Sequence, residues 1–123
     1  MAAPTVLVVE DDPVILHLLE VNFDLEGFTV LRAADGAEGL EAAREQHPDV
    51  IVSDIMMPRM SGIDLVIALK GDSATAAIPI ILLSAKAQTG DLKKGIDAGA
   101  DDYVTKPFEP LELVERVNAL LSR

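Results

Sequence analysis

Five short apolar runs rich in β-branched residues alternate along the chain with stretches whose apolar residues recur at helical spacing. The runs are Thr5–Val9, Phe28–Leu31, Val50–Val52, Ile78–Leu83 and Tyr103–Thr105. A continuous apolar run of this length marks a strand buried on both faces. The first helical stretch follows Asp12-Pro13, an N-cap with proline at the first helical position, carries Val14, Leu18, Val21 and Leu25, and ends at Gly27. Asp35-Gly36 opens a second with Ala37, Leu40 and Ala43, stopped before Pro48, and a third carries Ile63, Val66, Ile67 and Leu69. A fourth, from Thr89 to Ala98, holds Gly90 and Gly95 and only Leu92 and Ile96 as large apolar anchors; the fifth starts at Pro110 with Leu113, Val114, Val117, Leu120 and Leu121 on one face. Each interior glycine costs about 0.5–1 kcal/mol relative to alanine, so the fourth helix is expected to be the weakest. Five strand–helix pairs joined by right-handed crossovers predict an α/β chain, a doubly wound parallel sheet covered on both faces by five helices.

At 123 residues the chain is expected to form one domain, 1–123. Three Phe, one Tyr and no Trp leave an aliphatic core, and no apolar run reaches the ~20 residues of a membrane span. Met1-Ala2-Ala3-Pro4 lacks the pattern of a signal peptide, which makes a cytoplasmic location the expectation. The absence of cysteine excludes disulfides and thiolate metal sites. A formal net charge of -11 predicts repulsion of nucleic acid.

In open parallel sheets, sites form beyond the carboxyl ends of the strands. Glu10, Asp11 and Asp12 follow the first strand, Asp54 ends the third, Ser84 follows the fourth, and Tyr103 and Lys106 lie on or after the fifth. Each has a plain alternative. Asp12 caps a helix while its neighbours point to solvent, a serine after a strand is often a turn residue, and a lone lysine is usually a solvated charge. Their joint order carries more. Two carboxylates about 4 Å apart repel by roughly 4 kcal/mol at an effective dielectric near 20, and a hard cation such as Mg²⁺ relieves this. A carboxylate nucleophile, a metal, a hydroxyl and an ammonium together suit phosphoryl transfer, where positioning and charge stabilisation do the work. Neither His17 nor His47 is placed for a role in it.

These residues resemble the receiver domains of two-component response regulators over essentially the whole chain. The matching strings are Val8-Val9-Glu10-Asp11-Asp12, Asp54 to Pro58 through Gly62, Ser84-Ala85, and Gly99 to Tyr103 through Lys106-Pro107-Phe108. The resemblance implies the flavodoxin-like strand order 2-1-3-4-5. It implies that Asp54 accepts a phosphoryl group from a sensor histidine kinase or phosphotransfer protein. Asp11 would bind Mg²⁺ directly, Glu10 mainly through water, with Asp54 and the Met56 carbonyl as further ligands. Lys106 would pair with the phosphoryl group, Ser84 would turn toward it, and Tyr103 would move inward with Ser84. Met56 and Lys86 occupy positions that tune phosphoryl lifetime in such families, and a long lifetime is expected here. Kinase specificity is expected around His17, Glu20, Val21 and the loop after Lys106. Lys94, Asp97, Asp101, Glu112, Arg116 and Arg123 resemble the face by which receivers of winged-helix transcription factors form homodimers, through the fourth helix, fifth strand and fifth helix. Receivers catalyse only their own phosphorylation and dephosphorylation, so the chain is not expected to be an enzyme in the turnover sense.

Three other readings compete. A flavin-binding domain needs a hydroxyl- and glycine-rich loop after the first strand, where this chain has Glu10-Asp11-Asp12-Pro13. A haloacid-dehalogenase-like phosphohydrolase places an Asp-x-Asp pair there and adds a cap domain. A purely structural domain leaves the acidic cluster unexplained.

Overall fold

The computed structural model describes residues 3–85 and 89–123, with the backbone alone at Thr89, Asp91 and Leu92. Lys86 lies outside the described residues. The elements are β1 (Thr5–Val9), α1 (Pro13–Leu25), β2 (Thr29–Ala33), α2 (Gly36–Gln46), β3 (Val50–Asp54), α3 (Gly62–Lys70), β4 (Ile80–Ala85), α4 (Thr89–Ala98), β5 (Asp102–Lys106) and α5 (Pro110–Leu121). The strands form one parallel sheet in the order β2-β1-β3-β4-β5.

The period-two alternation of strand side chains divides the core into two layers. Val6, Val8, Val50, Val52, Ile81, Leu83 and Val104 pack with Leu19 and Phe23 of α1 and with Leu113, Val114 and Val117 of α5. Leu7, Val9, Ile51, Ile80 and Leu82 pack on the other face with Ala43 of α2 and with Leu65, Val66 and Leu69 of α3. Burial on both faces explains why the strands read as continuous apolar runs.

The helix starts follow the sequence signals. Asp12 Oδ1 accepts from the Val14 N–H at 2.9 Å, Asp35 Oδ1 from the Glu38 N–H at 2.9 Å, and Ser61 Oγ from the Asp64 N–H at 3.1 Å. Pro79 sits just ahead of β4, where its missing N–H breaks no ladder. Gly27, at φ 88, closes α1 in a backbone region that disfavours a side chain.

Val14, Leu18, Val21 and Leu25 recur at helical spacing on α1, yet they do not form its buried stripe: Val14 is 75% and Leu25 78% exposed, and Leu18 and Val21 are also exposed. The face that enters the core carries Leu19 and Phe23, with Ile15 and Leu16 at its margin. On α3, Ile67 likewise faces outward while Leu65, Val66 and Leu69 are buried. In both helices apolar residues occupy more than one face, so periodicity alone cannot choose between them.

The glycines of α4 also differ from one another. Gly95 is buried, and a Cβ there would collide with Leu82 Cδ1 of β4, so the absence of a side chain lets α4 lie close on the sheet. Ile96, expected as an anchor, is exposed.

Candidate functional site

Parallel pairing aligns the carboxyl ends of β1, β3, β4 and β5 at one edge of the sheet. Val9 pairs with Ser53, Asp54 with Leu83, and Ala85 with Lys106. Glu10 follows β1 directly and its N–H donates to the Ala33 carbonyl at the end of β2, at 3.0 Å. Carboxylate oxygens of Glu10, Asp11 and Asp54 come within 4.8 Å of one another. Glu10 is fully buried, Asp54 is 6% exposed, and Asp11 opens to solvent.

Lys106 reaches across the strand ends. Its Nζ lies 3.0 Å from Glu10 Oε1 and 3.1 Å from Asp54 Oδ1. The Lys106–Pro107 peptide is cis. Asp54 Oδ1 also accepts from the Ile55 N–H at 3.0 Å, and Glu10 Oε2 from the Asp11 N–H at 3.1 Å. Burial, reinforced by Asp54, pushes the Glu10 carboxyl up to about 7, against the opposing pull of Lys106. Burial works against the Lys106 ammonium, but Glu10 and Asp54 outweigh it and hold its pKa above the ordinary value. Three oxygen donors against one ammonium leave a net negative, hard-donor cradle that suits a divalent cation such as Mg²⁺.

Ser84 is buried one residue beyond the β-partner of Asp54, and its hydroxyl donates to the Ala85 carbonyl at 3.1 Å. Tyr103 is 41% exposed on β5. Met56 is exposed in the loop that follows Asp54. The sheet therefore brings Glu10, Asp11, Asp54, Ser84 and Lys106 to one edge, while the Tyr103 side chain stands apart at the surface.

The charged residues of the expected dimer face engage partners within the chain. Arg116 pairs with Asp102 at 2.9 Å and Glu112 at 3.4 Å, Arg123 pairs with Asp101, and Asp97 with Lys93 at 3.6 Å; Lys94 is exposed. Asp101 also accepts from the Ile80 N–H at 2.8 Å. Burial opposes its ionisation, but Ile80, Arg123 and Lys70 outweigh burial and hold its carboxyl below the ordinary range.

Sequence reasoning missed Arg59, which forms an ion pair with the buried Asp35, 24 residues earlier. Asp35 was legible as a helix cap, but nothing local in the sequence announces its partner. An apolar groove of about 410 Å³ adjoins the site, lined by Ile15, Leu18, Lys106, Pro107 and Phe108.

The response regulator receiver domain family matches residues 6–118. The DNA-binding response regulator MtrA of Mycolicibacterium smegmatis is 46% identical over 118 residues, covering 96% of this chain and 50% of MtrA. The chain thus spans about half the length of the curated relatives it matches. Among solved structures, a response regulator receiver domain from Francisella superposes with a TM-score of 0.89 at 40% identity, covering 98% of each chain. The receiver domain of a Pseudomonas aeruginosa sensor histidine kinase superposes with a TM-score of 0.92 at 30% identity, covering 99% of this chain and 100% of that one; its structure has a magnesium ion coordinated in the active-site cleft.

Proposed function

Since the chain belongs to the response regulator receiver family, we propose that it is a phosphorylation switch in which Asp54 accepts a phosphoryl group from a sensor histidine kinase or phosphotransfer protein in the presence of Mg²⁺. The observation that carries this reading is the approach of the Glu10, Asp11 and Asp54 carboxylates, with the Lys106 ammonium on two of them.

In this reading Asp11 and Asp54 would hold the metal directly, Glu10 would act mainly through water, and the Met56 carbonyl would complete the protein's share. Bound Mg²⁺ supplies positive charge for the equatorial oxygens of the phosphoryl group. An oxygen of Asp54 bonds to phosphorus as the bond to the donor's imidazole nitrogen breaks, and the imidazole leaves with that electron pair. Lys106 keeps its charge and shifts from the free carboxylate of Asp54 toward the phosphoryl oxygens. Ser84 exchanges its bond to Ala85 for one to the phosphoryl group, and Tyr103 moves inward. The phosphoryl group adds about -1.5 to -2 charge units beside Ser84 and Lys106, which flank α4. We read α4, β5 and α5 as the responsive face and assign to it a homodimer or an output partner. Pairing through Arg116 or Arg123 would exchange existing bonds within the chain for bonds between chains.

The groove between Leu18 and Phe108 continues the exposed face of α1 up to Lys106. It supports docking of the phosphodonor there, with His17, Glu20 and Val21 setting specificity. To Met56, exposed and two residues after Asp54, we assign a role in screening the acyl phosphate from water.

Calorimetric titration with Mg²⁺ tests the metal half of this account. The wild type is expected to bind one ion, and Asp11→Asn to bind at least about tenfold more weakly through loss of a charged oxygen ligand. Equal binding by the two would remove Asp11 from the site.

A further inference from the structure

The loop from Ile55 to Ser61 follows Asp54 and carries Met56. Backbone bonds fix its two ends: the Ile55 N–H donates to the Leu83 carbonyl at 3.2 Å, and the Gly62 N–H to the Ile55 carbonyl at 2.8 Å. Its crown is held from a different element. Arg59 adopts a left-handed conformation at φ 68, a region disfavoured for a side chain of its size. From there its guanidinium pairs with Asp35 Oδ2 and lies 3.8 Å from Glu38.

This is more than an exposed ion pair. Asp35 is 3% exposed, and its Oδ1 is already engaged in capping α2 through the Glu38 N–H. Its second oxygen lies where a buried carboxylate without a partner is strongly disfavoured. The same contact brings backbones together: a Cβ at Gly36 would lie 2.8 Å from Met60 Cβ and closer still to the Met60 carbonyl oxygen. The turn that carries Asp35 follows β2, whose last residue, Ala33, accepts the Glu10 N–H. One carboxylate therefore sets the start of α2 and the crown of the loop that shapes the other wall of the acceptor site.

We propose that Arg59 is a positioning residue for the acceptor site. Through Asp35 it holds the 55–61 loop, and with it the Met56 carbonyl, in the geometry that receives the metal. The inference rests on the Mg²⁺ reading above and adds a residue that touches neither the metal nor the phosphoryl group. It separates two roles of Asp35: asparagine at that position keeps the helix cap and loses the charge.

The test compares wild type, Arg59→Ala, Arg59→Lys, Asp35→Asn and the double variant Asp35→Asn/Arg59→Ala. Mg²⁺ affinity is measured by calorimetry and the thermal midpoint in EDTA. Arg59→Ala is expected to bind Mg²⁺ about tenfold more weakly, the effect typical of removing a group that orients metal ligands. Asp35→Asn is expected to weaken binding similarly, the double variant no further than either single one, and Arg59→Lys to recover most of the affinity. The thermal midpoint of Arg59→Ala is expected to fall, because the buried Asp35 carboxylate loses its partner, and to recover in part in the double variant, which leaves no charge unpaired. Arg59→Ala binding within about twofold of wild type, whatever its midpoint, would reduce the pair to a structural one and overturn the proposal. Additive losses in the double variant would also overturn it, since the residues would then act separately. A wild-type chain that binds no Mg²⁺ would overturn the parent reading and this one together, and no variant is needed to see it.

Discussion

Among the described residues, Glu10 is the one whose chemistry departs furthest from its ordinary state. It is fully buried, and its carboxyl is pushed up to about 7 from 4.5, first by burial and then by Asp54, with Lys106 opposing. Between those values the native chain holds a proton that the unfolded chain has released. The contribution of Glu10 to metal-free stability therefore falls as pH rises from about 4.5 to about 7, by on the order of 3 kcal/mol. Lys106, with a raised pKa, stays charged across this window, and Asp101, with a lowered one, titrates below it. In EDTA the thermal midpoint should be lower near pH 7.5 than near pH 5.5, and Glu10→Gln should flatten the difference. A wild-type midpoint that rises over the same interval would contradict the burial of Glu10 among carboxylates. The sequence showed the acids and their order along the chain, and it suggested convergence. It could not show that Lys106 lies on Glu10 as well as on Asp54, because those residues are 96 positions apart and only strand order makes them neighbours.

Among the elements, α1 and α4 show where pattern reading stops. Apolar residues occupy two faces of α1, and the sheet takes Leu19 and Phe23 while Val14, Leu18, Val21 and Leu25 face outward. Burial is decided by the partner layer, which a single helix cannot announce. The glycines of α4 were legible only as a shared cost, yet the sheet separates them. Nothing among the described residues lies within 4 Å of a Cβ at Gly90, whereas a Cβ at Gly95 meets buried Leu82. Gly90→Ala is therefore expected to stabilise the chain by about 0.5 kcal/mol through helix propensity. Gly95→Ala should destabilise it by about 1 kcal/mol or more, because overpacking outweighs the same propensity gain. Denaturant unfolding of the two variants checks this. Stabilisation by both would mean that α4 stands off the sheet.

For the whole molecule, strand–helix alternation was enough to reach a doubly wound parallel sheet, because right-handed crossovers leave few other arrangements. The position of the candidate site was read from the edge where such strands end. The contacts that tie one crossover to another were not legible: Arg59 to Asp35, Lys106 to Glu10, and Arg123 to Asp101 all join residues distant in sequence. The -11 net charge adds a global constraint, since each phosphoryl group brings more negative charge to an acidic surface. In the proposed switch, its acceptance would depend on local cations, Lys106 and Mg²⁺. The most direct test is intact-mass spectrometry after incubation with Mg²⁺ and acetyl phosphate, with Asp54→Asn alongside. One added phosphoryl group is expected on the wild type, absent when EDTA is present and absent from Asp54→Asn. Equal labelling of the wild type and Asp54→Asn would contradict Asp54 as the acceptor, and undiminished labelling in EDTA would contradict the role of the metal.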